Sequence, residues 1–209
     1  MSVLITGPLQ GNMTKRDGVQ RRRLLGALGI GATAAIAGCL GGDGGDGSDD
    51  EQAQVYEPSI EGVEEGPVEF TDSQRCDVCG MPVKKYFGSS QLVHENGQAA
   101  VFDLPGCLFA YKVSSTPDSP IRGAWTTDYQ TSELIDATRA NFVLITDKEA
   151  ADDPMGIDPR PYAHRSDAVM FLENWEAEDL SPEEDIIVGL EEVDMEIAKI
   201  YRKSRLPDE

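Results

Sequence analysis

Histidine occurs only twice in this chain of 209 residues and cysteine four times, and 18 basic residues face 38 acidic ones. With so few imidazoles no Ser-His-Asp ordering stands out, and neither does a nucleotide-binding glycine loop or a distinctive pair of carboxylates. No enzyme class is indicated. Basic clusters that could hold phosphate are also missing, which disfavours nucleic acid and phosphate polyanions as partners.

The chain also lacks a long apolar run. Residues 26–38 are Gly, Ala, Leu, Ile and Thr without a charge, but thirteen residues rise only about 20 Å as a helix, against a bilayer core of about 30 Å. The stretch follows Gln20-Arg21-Arg22-Arg23-Leu24-Leu25. A short basic region ahead of a short apolar one reads as a targeting signal. Arg21 and Arg22 before two leucines resemble a twin-arginine signal, which exports a folded protein. Ile36-Ala37-Gly38-Cys39 resembles a lipobox, and a lipid on Cys39 would anchor a soluble domain to the outer face of the cell membrane. Residues 41–51 are Gly and Asp with one Ser and one Glu, a flexible acidic tether. Met13-Thr14-Lys15-Arg16 makes a better start for such a signal than Met1. The expected organisation is a signal over residues 1–38, a tether over 39–67 and a folded domain over 68–205.

Beyond residue 38 there are 13 basic residues and 37 acidic ones, a formal charge of -24. Apolar residues recur in blocks from Val68 onward, so a core can form despite this charge. The excess acid suits a halophilic protein in molar salt, where the screening length is about 3 Å.

Residues 88–94 alternate loosely and meet 98–102 across Asn96-Gly97, which predicts a hairpin with a two-residue turn. Leu104, Leu108, Tyr111 and Lys112 then have helical spacing, with Asp103 as N-cap and Pro105 in the first turn. A strand carrying Trp125 follows over 121–129. A second set has strands near 134–136 and 140–146, a helix near 166–176 and an apolar run over 186–190. Val193, Ile197, Ile200 and Tyr201 predict a terminal helix that lies over a sheet face. The fold class is therefore α+β: two repeated strand-strand-helix-strand units with antiparallel sheet, plus a C-terminal helix.

The chemistry gathers in Arg75-Cys76-Asp77-Val78-Cys79-Gly80-Met81-Pro82. Two thiols and a thioether there are soft donors, suited to Cu(I), which accepts roughly two or three ligands. Gly80 and Pro82 argue against the helix on which a thioredoxin-like pair depends. A zinc site could instead recruit Cys76, Cys79, Cys107 and His94. Cys107 reads as a small buried apolar residue, His94 as a surface or turn residue and His164 as a neighbour of a helix cap. Trp125 and Trp175 read as core or edge aromatics. Asp152, Asp153 and Glu183-Glu184-Asp185 read as solvated loop charges.

The motif Cys76-Asp77-Val78-Cys79-Gly80-Met81 resembles that of the NosL lipoproteins, which are associated with assembly of the copper sites of nitrous oxide reductase. So do Ala100-Val101-Phe102-Asp103, Cys107-Leu108-Phe109-Ala110-Tyr111, and Met155-Gly156-Ile157-Asp158 ahead of Ser166-Asp167-Ala168-Val169-Met170-Phe171. The resemblance implies Cu(I) binding outside the membrane, with Cys76, Cys79, Met81 and Met155 as metal ligands. It also implies a fold like that of organomercurial lyases, and a partner in nitrous oxide reductase or its assembly apparatus during denitrification. Met155 reads equally as a buried loop methionine. Two other functions stay open: an organomercurial-lyase-like enzyme using Asp77 or Asp103, and an interaction protein stabilised by zinc.

Overall fold

The structure is a computed structural model that describes residues 56–153, 155–175 and 186–207. The segment with Arg21, Arg22 and Cys39 lies outside them, as do residues 183–185. No helix among the described residues is long and apolar enough to cross a membrane.

The first unit runs β1 (Ser90–His94), β2 (Ala99–Phe102), α1 (Pro105–Ser114), β3 (Ile121–Thr127) and β4 (Leu134–Asp136). These strands form one antiparallel sheet in the order β2-β1-β3-β4. The second unit runs β5 (Asn141–Val143), α2 (Lys148–Ala151), β6 (Arg160–Tyr162), α3 (Arg165–Glu173) and β7 (Ile187–Val188), in the antiparallel order β6-β5-β7. In both, the first strand is central and a helix joins the second strand to the third. The α+β repeat read from the sequence is present, and α4 (Met195–Arg202) ends the fold.

The strand assignment within that repeat differs. The strand at 134–136 completes the first sheet beside β3. The second unit instead uses β6, whose Pro161 faces Phe142. Proline cannot donate to a ladder, so a segment with Pro reads poorly as a strand, and β6 lies at the sheet edge, where Pro is tolerated.

The β1–β2 turn also differs from expectation. His94 donates to the Gln98 carbonyl at 2.8 Å and Gly97 to the His94 carbonyl at 3.1 Å, with Gly97 at φ +83°. This is a three-residue loop closed by a glycine bulge, not a two-residue turn. The chain joins the domain upstream of Val68. Ile60 and Ala99 exchange backbone hydrogen bonds at 3.0 and 2.8 Å, and Tyr56 donates to Ser114 at 2.9 Å. Residues 56–67 of the expected tether thus pack on the domain. All of β1 is buried as a result, and its Gln91 amide donates to the Val68 carbonyl at 2.8 Å.

Helix α1 is buried continuously from Pro105 to Tyr111. A helix covered all round shows little amphipathic pattern. On one side Phe109 meets Phe142 of β5 with ring centroids 5.1 Å apart, and on another it meets Tyr201 of α4 at 6.0 Å. The C-terminal helix therefore lies against α1 rather than over a sheet face. An added Cβ at Gly106 would come within 2.9 Å of Tyr201 Cβ. A small residue is needed for that approach.

Candidate metal centre

Residues 76–81 form a tight turn. Arg75 and Pro82 pair across its neck, Cys76 donates to the Met81 carbonyl at 2.8 Å, and Gly80 donates to the Cys76 carbonyl at 2.9 Å. Gly80 has φ +74°, and nothing lies within 4 Å of an added Cβ, so conformation and not space selects glycine. The Cys79 amide points at Cys76 Sγ at 3.5 Å. This is a turn and not a helix start, as Gly80 and Pro82 imply. Asp77 pins the turn to β2 by accepting from the Val101 amide at 2.7 Å and donating its own to the Val101 carbonyl at 3.0 Å.

That attachment places both thiols beside the connection from β2 to α1. Cys76, Cys79, Asp103 and Cys107 converge so that one ligand atom from each lies within 4.8 Å of the others. Cys76, Asp103 and Cys107 are buried and Cys79 is half-buried, which makes Cys79 the open side. The three cysteines are free thiols. Cys107 Sγ also accepts from Arg202 Nε at 3.0 Å. The same arginine grips both oxygens of Asp158 at 3.0 Å, and Asp158 accepts from the Gly106 amide at 2.8 Å.

The four groups share their protons as a set. Hydrogen bonds from Cys107 and Cys76, helped by the Met81 amide and Asp103 and opposed by burial, hold the Cys79 thiol far below its ordinary value. Burial pushes Cys76 up. Cys107 rises because it donates to Cys76 and Cys79 and because it is buried. Asp103 rises through burial and the nearby Cys79 charge. Cys79, the half-buried member of the set, is thus the thiol whose deprotonation the cluster favours most, and its Sγ lies 3.3 Å from Asp103 Oδ1. The other carboxylate oxygen, Oδ2, is buried with no hydrogen-bond partner among the described residues. Three converging sulfurs make a soft donor set that fits a soft cation, with the Asp103 carboxylate a harder donor beside them.

The sequence model of the NosL family matches residues 67–185, more than half of the chain. The chain belongs to the NosL family. Among solved structures, the copper chaperone NosL from Shewanella denitrificans aligns at 16% identity with a TM-score of 0.49, covering 63% of this chain and 97% of that one. A search of curated proteins returns no match.

Of the residues singled out in this NosL chain, Cys76 and Cys79 are brought together. Met81 is half-buried at the end of their turn. Met155 lies in a separate turn, closed by Gly156 donating to the Asp153 carbonyl at 2.9 Å. Cys107 is no mere apolar filler, since its Sγ is part of the cluster and bonded to Arg202. Asp103 does not cap α1; its carboxylate faces Cys79.

His94 is buried, not a surface residue. Its Nδ1 meets the Ser119 carbonyl at 2.9 Å and its Nε2 the Tyr111 hydroxyl at 3.1 Å, so both nitrogens are occupied away from the thiols. The zinc set that includes His94 is not assembled. His164 stands at the N-cap position of α3 without a side-chain cap bond. Trp125 lies against Gly66 and Gly123, and Trp175 against Phe171 at 5.1 Å between ring centroids. Asp153 departs from the solvated-loop reading, for its carboxylate is buried 2.8 Å from Arg160 Nη1. The sequence offered Cys107 only through the alternative zinc set and Asp103 only through the lyase reading, because only the docking of the turn on β2 joins them to Cys76 and Cys79.

Proposed function

We propose that this NosL-family chain is a copper carrier that takes Cu(I) at the sulfur cluster on the outer face of the cell membrane. In this reading lipidated Cys39 holds it there, after export through the signal containing Arg21 and Arg22. It passes the ion to nitrous oxide reductase or its assembly apparatus. The observation that carries the reading is the convergence of Cys76, Cys79 and Cys107 from a turn and a helix, with one thiol half-open to solvent. Family membership favours a carrier over a lyase.

Copper is cargo here. The half-exposed Cys79 sulfur meets it first, and the buried thiols complete a low-coordinate site as they lose their protons. Met81 and Met155 are the thioethers nearest these elements in the chain and serve as further soft ligands. A thioether keeps its donor form at any pH. An acceptor's thiol or imidazole enters from the Cys79 side as one donor leaves, so release is rapid even where binding is tight.

One observation favours a second reading. Cys76, Cys79, Cys107 and Asp103 make a four-ligand set of types that zinc accepts. The full chain, purified and reduced without oxygen, distinguishes the two when offered equimolar Cu(I) and Zn(II). The carrier reading expects one copper per chain and little zinc. One zinc per chain with copper excluded would replace it with the structural reading.

A further inference from the structure

The C-terminal helix lies beyond the residues that the NosL family model covers, yet it sends a charged side chain to the sulfur cluster. Arg202 is only 3% exposed. Its Nε donates to Cys107 Sγ at 3.0 Å, its Nη2 to Asp158 Oδ1 and Oδ2 at 3.0 Å each, and its Nη1 to the Tyr201 carbonyl at 2.9 Å. All three nitrogens are engaged. A lysine has one nitrogen at the end of its stem and cannot reproduce this planar fork.

Asp158 is fixed on its other sides. Its Oδ1 accepts from the Gly106 amide at 2.8 Å, and its own amide donates to Asp153 Oδ2 at 3.0 Å. Asp153 in turn pairs with buried Arg160. Met155 lies between these two acids. The start of α1, with Cys107, and the turn carrying Met155 therefore hang on one buried ion pair. Such a pair adds little stability over apolar packing of the same volume, so its value lies in orientation. A hydrogen bond donated to a ligand sulfur fixes the direction of its remaining lone pairs, as outer-shell partners of metal ligands do.

We propose that Arg202 is a positioning residue of the copper site, holding Cys107 Sγ in the cluster and, through Asp158, setting the Met155 turn against it. The proposal rests on the carrier reading. Without the fork, Cys107 turns out of the cluster and the ion is held by fewer sulfurs.

The test compares the wild-type full chain with Arg202→Lys and with the charge-neutral pair Arg202→Met and Asp158→Asn, at a temperature where circular dichroism shows each folded. Cu(I) retention is read against a chromogenic chelator, and the ligand count by X-ray absorption at the copper edge. Both variants are expected to hold Cu(I) about tenfold or more weakly and to lose one sulfur. In a Cys107→Ala background Arg202→Lys should then have a smaller effect, the part that acts through Asp158 on the Met155 turn, and in a Cys107→Ala, Met155→Leu background none. Cd(II) alone, followed by its thiolate charge-transfer band, is a second probe, and the variants should show a weaker band per metal.

Wild-type retention and sulfur count in the folded variants would overturn the proposal, as would variants that fold at no temperature, which would make Arg202 purely structural. Wild-type chain that binds Cd(II) but not Cu(I) overturns the carrier reading while the cadmium band still judges Arg202. Wild-type chain that binds neither overturns both.

Discussion

Asp103 turns its carboxylate toward Cys79, with Oδ1 3.3 Å from Sγ, and leaves the Gly106 amide at the start of the helix it precedes to another residue. That residue is Asp158, which accepts from Gly106 across 52 positions of sequence. The exchange frees Asp103 for the sulfur cluster and ties the start of α1 to α4 through Arg202.

The same junction makes Gly106 irreplaceable. An added methyl would lie 2.6 Å from Asp158 Oδ1 and 3.1 Å from Arg202 Cζ. Alanine gains about 1 kcal/mol over glycine in a helix interior, but overpacking here should outweigh that gain. Gly106→Ala is expected to destabilise the fold by about 1–3 kcal/mol in urea unfolding. A stabilised variant would contradict the packing described.

Asp103 offers oxygen, which suits zinc better than Cu(I). Asp103→Asn nearly keeps the shape of the side chain. Cu(I) affinity should change by less than about tenfold, or about 1.4 kcal/mol, while any Zn(II) affinity falls by more. Competition titrations with each metal alone check this, and a larger loss for copper would make the carboxylate a copper ligand.

Asp128 joins the two units, accepting from the amides of Gln130 and Thr131 at 2.9 and 2.8 Å and of Ala163 at 2.7 Å. Burial pushes its carboxyl up, but the hydrogen bonds from Thr131, Ala163 and Gln130 win and hold it below the usual range. A lowered folded value means stability that is present above the unfolded pKa of about 3.9 and lost as pH falls through the folded one. Asp128→Asn should unfold at lower urea at neutral pH. Between about pH 5 and pH 3 it should lose less stability than wild type, and an equal loss would remove Asp128 from that account.

For export, Cys39→Ser is expected to move the protein from membranes to the medium, and Arg21→Lys with Arg22→Lys to trap precursor in the cytoplasm. Fractionation with an antibody to the folded domain reads both. Membrane retention of the Cys39→Ser chain would count against a lipid at that position.

The parts of the fold written in local chemistry were legible. Pro105 at the head of α1, the turn at Gly80 and the glycine at the β1–β2 corner each act within a few residues. What was not legible depends on docking. Pro161 hid β6, because edge position alone excuses the missing donor. His94 looked exposed at a strand end, and only Tyr111 and Ser119, brought by other elements, satisfy its ring in the interior. Cys107 has the spacing of an apolar helical residue, and nothing near it in sequence announces Arg202 or the thiols of the preceding turn.

The central claim, a sulfur site for Cu(I), is tested most directly by X-ray absorption at the copper edge on the reduced full chain, with Cys79→Ser and Met81→Leu beside it. Leucine nearly conserves volume and apolarity, so the Met81→Leu fold should survive. The account predicts low-coordinate copper bound by sulfur in wild type, held more weakly or with altered coordination in both variants. Wild-type affinity in both, or a four-coordinate zinc with no preference for copper, would contradict it.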